Sequence, residues 1–408
     1  MKRFFAALTA AFALCALLSL STFAADRVLN VYNWGEYISD GSEGSLDVNA
    51  EFEKWYAETY GETVKVVYTT YASNEDLYAK LKSGAAGYDV ILPSDYMIAR
   101  MIDEGMLEKL NFDNIPNYAG ISENFRGLYY DANNEYSVPF SYGMVGIIYD
   151  TTVVDEADTG TWDLMWNEKY KGKILQFNNS RDAFGTAMYR AGIDVNTTDA
   201  AQWQAALDAL KAQKPILQGY VMDEVFNKME GGEAAVAAYY AGDYLSMVEN
   251  NENLGFYYPT DKDGRFATNL FVDAYCIPKG AANKDLAEAY INFSLSEEIA
   301  VANAEVVCYA SPNAAVYESE TYREDMGDEA MEILYPADFD FGANYNKMSY
   351  HNLDAETLNT INTMWEELML DGGMGAAVYI IAAVIVAAIA AFVIYRKTVQ
   401  KKREKMYE

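Results

Sequence analysis

The chain has 408 residues and a formal net charge of −31, with 61 acidic against 30 basic residues and a single histidine. Such a field repels nucleic acid and gathers cations. One histidine, His351, and two cysteines beyond residue 25, Cys276 and Cys308, are too few for a zinc site, and no nucleophile motif accompanies His351. No metal or cofactor is expected.

Residues 1–25 carry Lys2 and Arg3, then an apolar stretch, then Ala24 and Ala25, the pattern of a secretory signal cleaved near its end. Export permits a disulfide between Cys276 and Cys308, which the sequence leaves open. The first stretch beyond the signal, VLNVYNWGEY, begins as a strand at Val28 and breaks into Asn33-Trp34-Gly35-Glu36-Tyr37. Two rings and a carboxylate within four positions suit the gripping of a cation. An ordinary polar turn is the plain alternative there.

Residues 47–60 have helical spacing ended by Gly61, and residues 63–71 form a second strand. Ser73, with Asp76 three positions on, caps a helix that buries Leu77, Tyr78 and Leu81. A third strand, 88–92, closes on Pro93-Ser94-Asp95-Tyr96, and a helix follows over 95–106. This alternation predicts an α/β fold with a parallel sheet, whose ligands sit outside the carboxyl ends of the strands.

Residues 136–149 are apolar but contain Pro139, which argues against a central ladder, so they read as the chain crossing between two lobes. A strand over 173–177 opens onto Asn179 and Asp182, and one over 234–240 opens onto Tyr240-Ala241-Gly242-Asp243. Helices are predicted over 162–170, 183–191, 198–211, 223–229, 283–295 and 355–369. The strand around 270–278 places Asp273 inside an apolar run. A buried carboxylate there costs several kcal/mol unless something pairs with it, which marks Asp273 as a candidate cation ligand, a structural hydrogen-bond role being the alternative. Residues 375–395 are free of charge, long enough to span a bilayer, and followed by Arg396, Lys397, Lys401, Lys402, Arg403 and Lys405. A single transmembrane helix with its basic tail in the cytoplasm is expected.

Several segments then resemble the spermidine/putrescine-binding family of ABC-transporter substrate-binding proteins. They are VYNWGEY, YTTYASNEDLYAKLKSG, YDVILPSDYM, EGMLEKL, YSVPFSYG, WNEKYKGKI, FVDAYCIPKGAANKDLAEAYINF and YASPN, and the likeness spans residues 28–316. The resemblance implies a two-lobed class II periplasmic-binding-protein-like fold. Lobe 1 would be 26–138 and 271–318, and lobe 2 would be 139–270 and 319–373. A transmembrane helix over 374–395 and a cytoplasmic tail over 396–408 would follow.

The resemblance further implies that Trp34, Tyr37, Ser94, Tyr96, Asp273 and Tyr309 line a polyamine site, with Glu36 a further carboxylate. The family usually has an acidic pair where this chain has Asn179 and Asp182, so one charge is trimmed unless Asp95 replaces it. Tyr240 and Phe271 stand where the family often has tryptophans. The expected function is an extracellular, membrane-tethered polyamine-binding component of an ABC importer, partnered by permease and ATPase subunits and without catalysis. The alternatives are a sensor or carrier domain for another small cation, and a secreted glycoside hydrolase, which would need two carboxyls about 5–5.5 or 6.5–9.5 Å apart.

Overall fold

The computed structural model describes residues 27–370 apart from 85, 86, 262 and 338. In chain order the strands are β1 (Arg27–Trp34), β2 (Val64–Tyr71), β3 (Val90–Ile91), β4 (Ser137–Asp150), β5 (Ile174–Phe177), β6 (Leu217–Val221), β7 (Val236–Tyr240), β8 (Leu254–Tyr257) and β9 (Leu270–Cys276). They lie in the order β2-β1-β3-β9-β4-β7-β5-β6, with β8 paired to β4 off that path. β1 pairs in parallel with both β2 and β3, and β5 in parallel with both β6 and β7. Each parallel set follows from strand-helix alternation, because a parallel return needs a crossover.

The helices start and stop where local chemistry directs. Asp47 accepts from the Ala50 backbone N–H at the start of helix Val48–Tyr60, and Gly61 ends it in the left-handed conformation. Ser73 accepts from the Asp76 N–H ahead of helix Asn74–Lys82, as its spacing foretells. Residues 162–170, expected as one helix, form two short 3-10 turns, Trp162–Trp166 and Glu168–Tyr170.

Two apolar cores flank the sheet. One gathers Leu29, Phe52, Ile91, Ile98, Val272 and Tyr290, and the other Ile147, Leu175, Phe184, Trp203, Val236 and Leu245. β4 belongs to both. Its first part, Ser137 to Met144, runs antiparallel to β9, and Val145 to Tyr149 pairs with β7 and β8. Pro139 does sit within this central ladder, opposite Ala274, contrary to the sequence expectation. A register shift between Pro139 and Ser141 accommodates the missing N–H.

The late chain holds helices the sequence did not foretell, Glu297–Val307, Glu320–Leu334 and Phe341–Met348. Helix Ala355–Leu370 turns Ile361 and Leu368 inward and exposes Glu366 and Glu367. Lys211 reaches Glu367 at 2.5 Å.

The fold class is corrected in one respect. Among the described residues no helix is long and apolar enough to cross a membrane. The last helix has 16 residues, an amphipathic pattern and three glutamates, so it packs on a lobe. The expected signal over 1–25 and the expected span over 374–395 with its tail lie outside the described residues. Cys276 and Cys308 are both buried and free, so no disulfide joins them.

Candidate functional site

A cleft lies where the strand ends of the two halves face each other. From the first half come Trp34 to Tyr37 after β1, Ala72 to Glu75 after β2, and Ser94 to Tyr96 after β3. The second half contributes Asn179 and Asp182 after β5, Met222, Asp223 and Phe226 after β6, and Tyr239, Tyr240 and Asp243 around the end of β7. Phe271 and Asp273 project from β9, and Tyr309 and Tyr350 complete the wall. All twelve residues singled out from the sequence (Trp34, Glu36, Tyr37, Ser94, Asp95, Tyr96, Asn179, Asp182, Tyr240, Phe271, Asp273, Tyr309) border this one cavity.

Asp273 is 4% exposed. Its Oδ2 accepts from the Tyr37 hydroxyl at 2.6 Å, while Oδ1 has no partner of hydrogen-bond geometry. Burial pushes its carboxyl up to about 6, although nearby Ser94 and Tyr37 favour the ionised form. Ser94 is itself fixed by Asn74, whose Nδ2 donates to its Oγ at 3.0 Å and whose Oδ1 accepts from its N–H at 3.1 Å.

The carboxylates at Asp182 and Glu75 are engaged by protein donors. Asp182 Oδ2 accepts from the Tyr240 hydroxyl and from Asn179 Nδ2, both at 2.7 Å. Asn179 also accepts from the Asp182 N–H at 2.8 Å, so its amide caps helix Ser180–Ala191. A carboxylate here could cap the helix equally well but could not donate to Asp182 as the amide does. Glu75 Oε1 accepts from the Tyr96 hydroxyl at 3.0 Å. Burial raises both carboxyls, while the buried Arg181 guanidinium, 4.6 Å from the Tyr350 ring, lowers them.

Asp95 is nearly inaccessible and is pushed up to about 8 by burial. Its Oδ2 accepts from the Tyr345 hydroxyl at 2.7 Å and the Val272 N–H at 3.3 Å. It therefore ties the late helix Phe341–Met348 to β9 and does not replace the trimmed charge beside Asp182 as a free carboxylate.

Sequence reasoning left Asp243, Asp223, Glu75 and Tyr350 out of the site. Asp243 rises to about 8 through burial, with the Tyr309 hydroxyl favouring ionisation and Asp223 and Glu36 opposing it. Its signal was present, since it follows the same strand end as Tyr240. Glu75 and Asp223 stand at helix starts, where acids are common for capping, and Tyr350 lies in a segment without periodicity.

The rings form a slot around these acids. Trp34 is held by its Nε1 donating to the Leu92 carbonyl at 2.9 Å and by Tyr71 at 4.7 Å. Tyr37 meets Tyr309 edge-on at 5.3 Å, and Phe271 meets Tyr240 edge-on at 5.4 Å. Carboxylates set along an aromatic slot can hold ammonium groups separated by methylenes. The described residues contain no group of three His, Cys, Asp or Glu placed to bind a metal.

Comparison with known proteins agrees with this chemistry. The family model for bacterial extracellular solute-binding proteins matches residues 49–328. The spermidine/putrescine-binding periplasmic protein of Escherichia coli K12 is 31% identical over 316 residues, 77% of this chain and 86% of its own length. The putrescine-binding periplasmic protein SpuD of Pseudomonas aeruginosa is 28% identical over 390 residues, 90% of this chain and 99% of its own. Among solved structures, the spermidine/putrescine ABC transporter substrate-binding protein PotD of Streptococcus pneumoniae is 31% identical and superposes with a TM-score of 0.65 over 85% of this chain and 99% of that one. A Listeria monocytogenes protein assigned to spermidine/putrescine ABC transport, also 31% identical, reaches 0.73 over the same shares.

Proposed function

Because the chain belongs to the bacterial extracellular solute-binding proteins, among the polyamine-binding substrate-binding proteins of ABC transporters, we propose that it captures a linear di- or polyamine between its lobes for an import system. Its relatives are solute-binding proteins rather than enzymes. The observation that carries the reading is the Asp273 Oδ1, buried and unpartnered on the wall of an aromatic slot. A buried carboxylate oxygen in that state is costly, and an ammonium donor relieves it.

In this reading Asp273, Asp243, Asp223 and Glu36 receive ammonium groups, and Trp34, Tyr37, Phe271, Tyr240 and Tyr309 cover the methylenes. Each ammonium–carboxylate hydrogen bond contributes about 1.5–3 kcal/mol, and each cation–ring contact about 0.5–2 kcal/mol. Closure of the lobes about β4 and β9 excludes water and reports occupancy to a permease and its ATPase. The protein works outside the cytoplasm, where its periplasmic relatives do.

A ligand that binds only the folded state raises Tm by mass action. Putrescine, cadaverine, spermidine and spermine at 1 mM are expected to raise it, while neutral diols and amino acids leave it unchanged. An unchanged Tm with every amine defeats the reading.

A further inference from the structure

Gly35 has no conformational need to be glycine, since its φ lies outside the left-handed region that favours it. What it has is a close neighbour. A Cβ built at Gly35 would stand 2.9 Å from Asp223 Oδ2, a carboxylate that arrives from beyond β6, in the opposite half of the molecule. Asp223 holds the N-cap position of helix Glu224–Glu230, yet its side chain caps nothing. Glu224 Oε2 accepts from the Met222 N–H at 3.1 Å, one residue ahead of that cap.

Asp223 is thus turned away from local structure and over Gly35, beside Glu36, whose backbone is held at a φ of 47°. Both carboxylates border the cleft that contains the unpartnered Asp273 Oδ1, and neither has an ion pair among the described residues.

We infer that Asp223 and Glu36, on opposite lobes, jointly hold one terminal ammonium of the bound amine, with Gly35 keeping room for the Asp223 carboxylate. This rests on the amine-binding reading and names a residue that sets ligand choice within it. An ammonium shared across the mouth links recognition to closure, because it is fully held only when the lobes meet. Gly35 and Asp223 then act as one unit.

The test is titration calorimetry of putrescine and spermidine into the unaltered protein, Asp223→Asn, Gly35→Ala and the double variant. Asp223→Asn is expected to weaken binding about tenfold or more, the loss of one charge-assisted contact. Gly35→Ala is expected to do the same by displacing Oδ2. The double variant should bind no worse than Asp223→Asn, the non-additivity of a shared contact. The unliganded Tm should stay unchanged in each, since Asp223 is exposed. Asp223→Asn binding within twofold of the unaltered protein overturns the assignment and leaves the amine reading standing. Failure of the unaltered protein to bind either amine overturns both.

Discussion

The Tyr37 hydroxyl donates to Asp273 Oδ2 at 2.6 Å, joining the turn after β1 to the middle of β9 across 236 positions of sequence. The same hydroxyl contacts Ser141 Oγ on β4, so the two strands that pass between the lobes meet at one buried phenol. Tyr37 holds one Asp273 oxygen, and the other is buried without a hydrogen-bond partner.

Asp273→Asn is expected to weaken amine binding about 10- to 150-fold, the equivalent of 1.5–3 kcal/mol. The unliganded protein should not lose Tm, because a neutral amide replaces a carboxyl that burial has raised to about 6. Calorimetry and thermal melts check both halves. A large drop in unliganded Tm with unchanged affinity contradicts the assigned role.

Stability and affinity should respond to pH in opposite directions. Asp95 and Asp243 lie near 8 and Asp273 near 6 in the folded protein, each above the unfolded value of 3.8. Stability from these groups is fully present below 3.8 and is lost as pH rises through 6 to 8. Glu104, held down at about 2 by Lys82, has the reverse sign, losing its contribution as pH falls from 4.5 toward 2. Unliganded Tm should therefore fall from pH 5.5 to 8.5. Amine affinity should rise across the same window, since the ligand prefers ionised carboxylates and stays protonated there. Melts at graded pH with and without putrescine check this, and a flat unliganded profile counts against it.

Gly242→Ala tests the aromatic wall. A Cβ there would meet three Tyr309 ring atoms at 2.3, 2.4 and 2.7 Å, in the first turn of helix Ala241–Asn250. The ring must move, at a cost of about 1–3 kcal/mol in stability, and amine binding should weaken with it. Urea unfolding and calorimetry measure the two effects.

Cys276 and Cys308 should be unreactive in the folded state. Both are buried and free, and burial pushes Cys308 up to about 11. A thiol reagent is expected to label neither until the protein is unfolded, and reductant should leave Tm unchanged.

The site was legible in the sequence because each apolar strand closes on aromatics and acids. Asp273 stood out as the lone charge in β9, and the Ser73 cap and Gly61 stop follow from local chemistry. What escaped depends on long-range packing. Asp223 reads as a helix cap until Gly35 is seen beneath it, and Tyr350 reaches the cleft from a segment with no periodic pattern. Asp95 looks like a spare ligand, whereas Tyr345, 250 positions away, takes its oxygen. Pro139 misled because a register shift, invisible in one strand alone, lets the ladder keep it.

The most direct measurement is titration calorimetry of putrescine and spermidine into the protein at pH 7.5. Saturable binding of at least one amine at one site per chain, with protons released in a buffer-dependent heat, is the predicted result. No binding heat with either amine, or equal heats with neutral diols of the same length, would contradict the account.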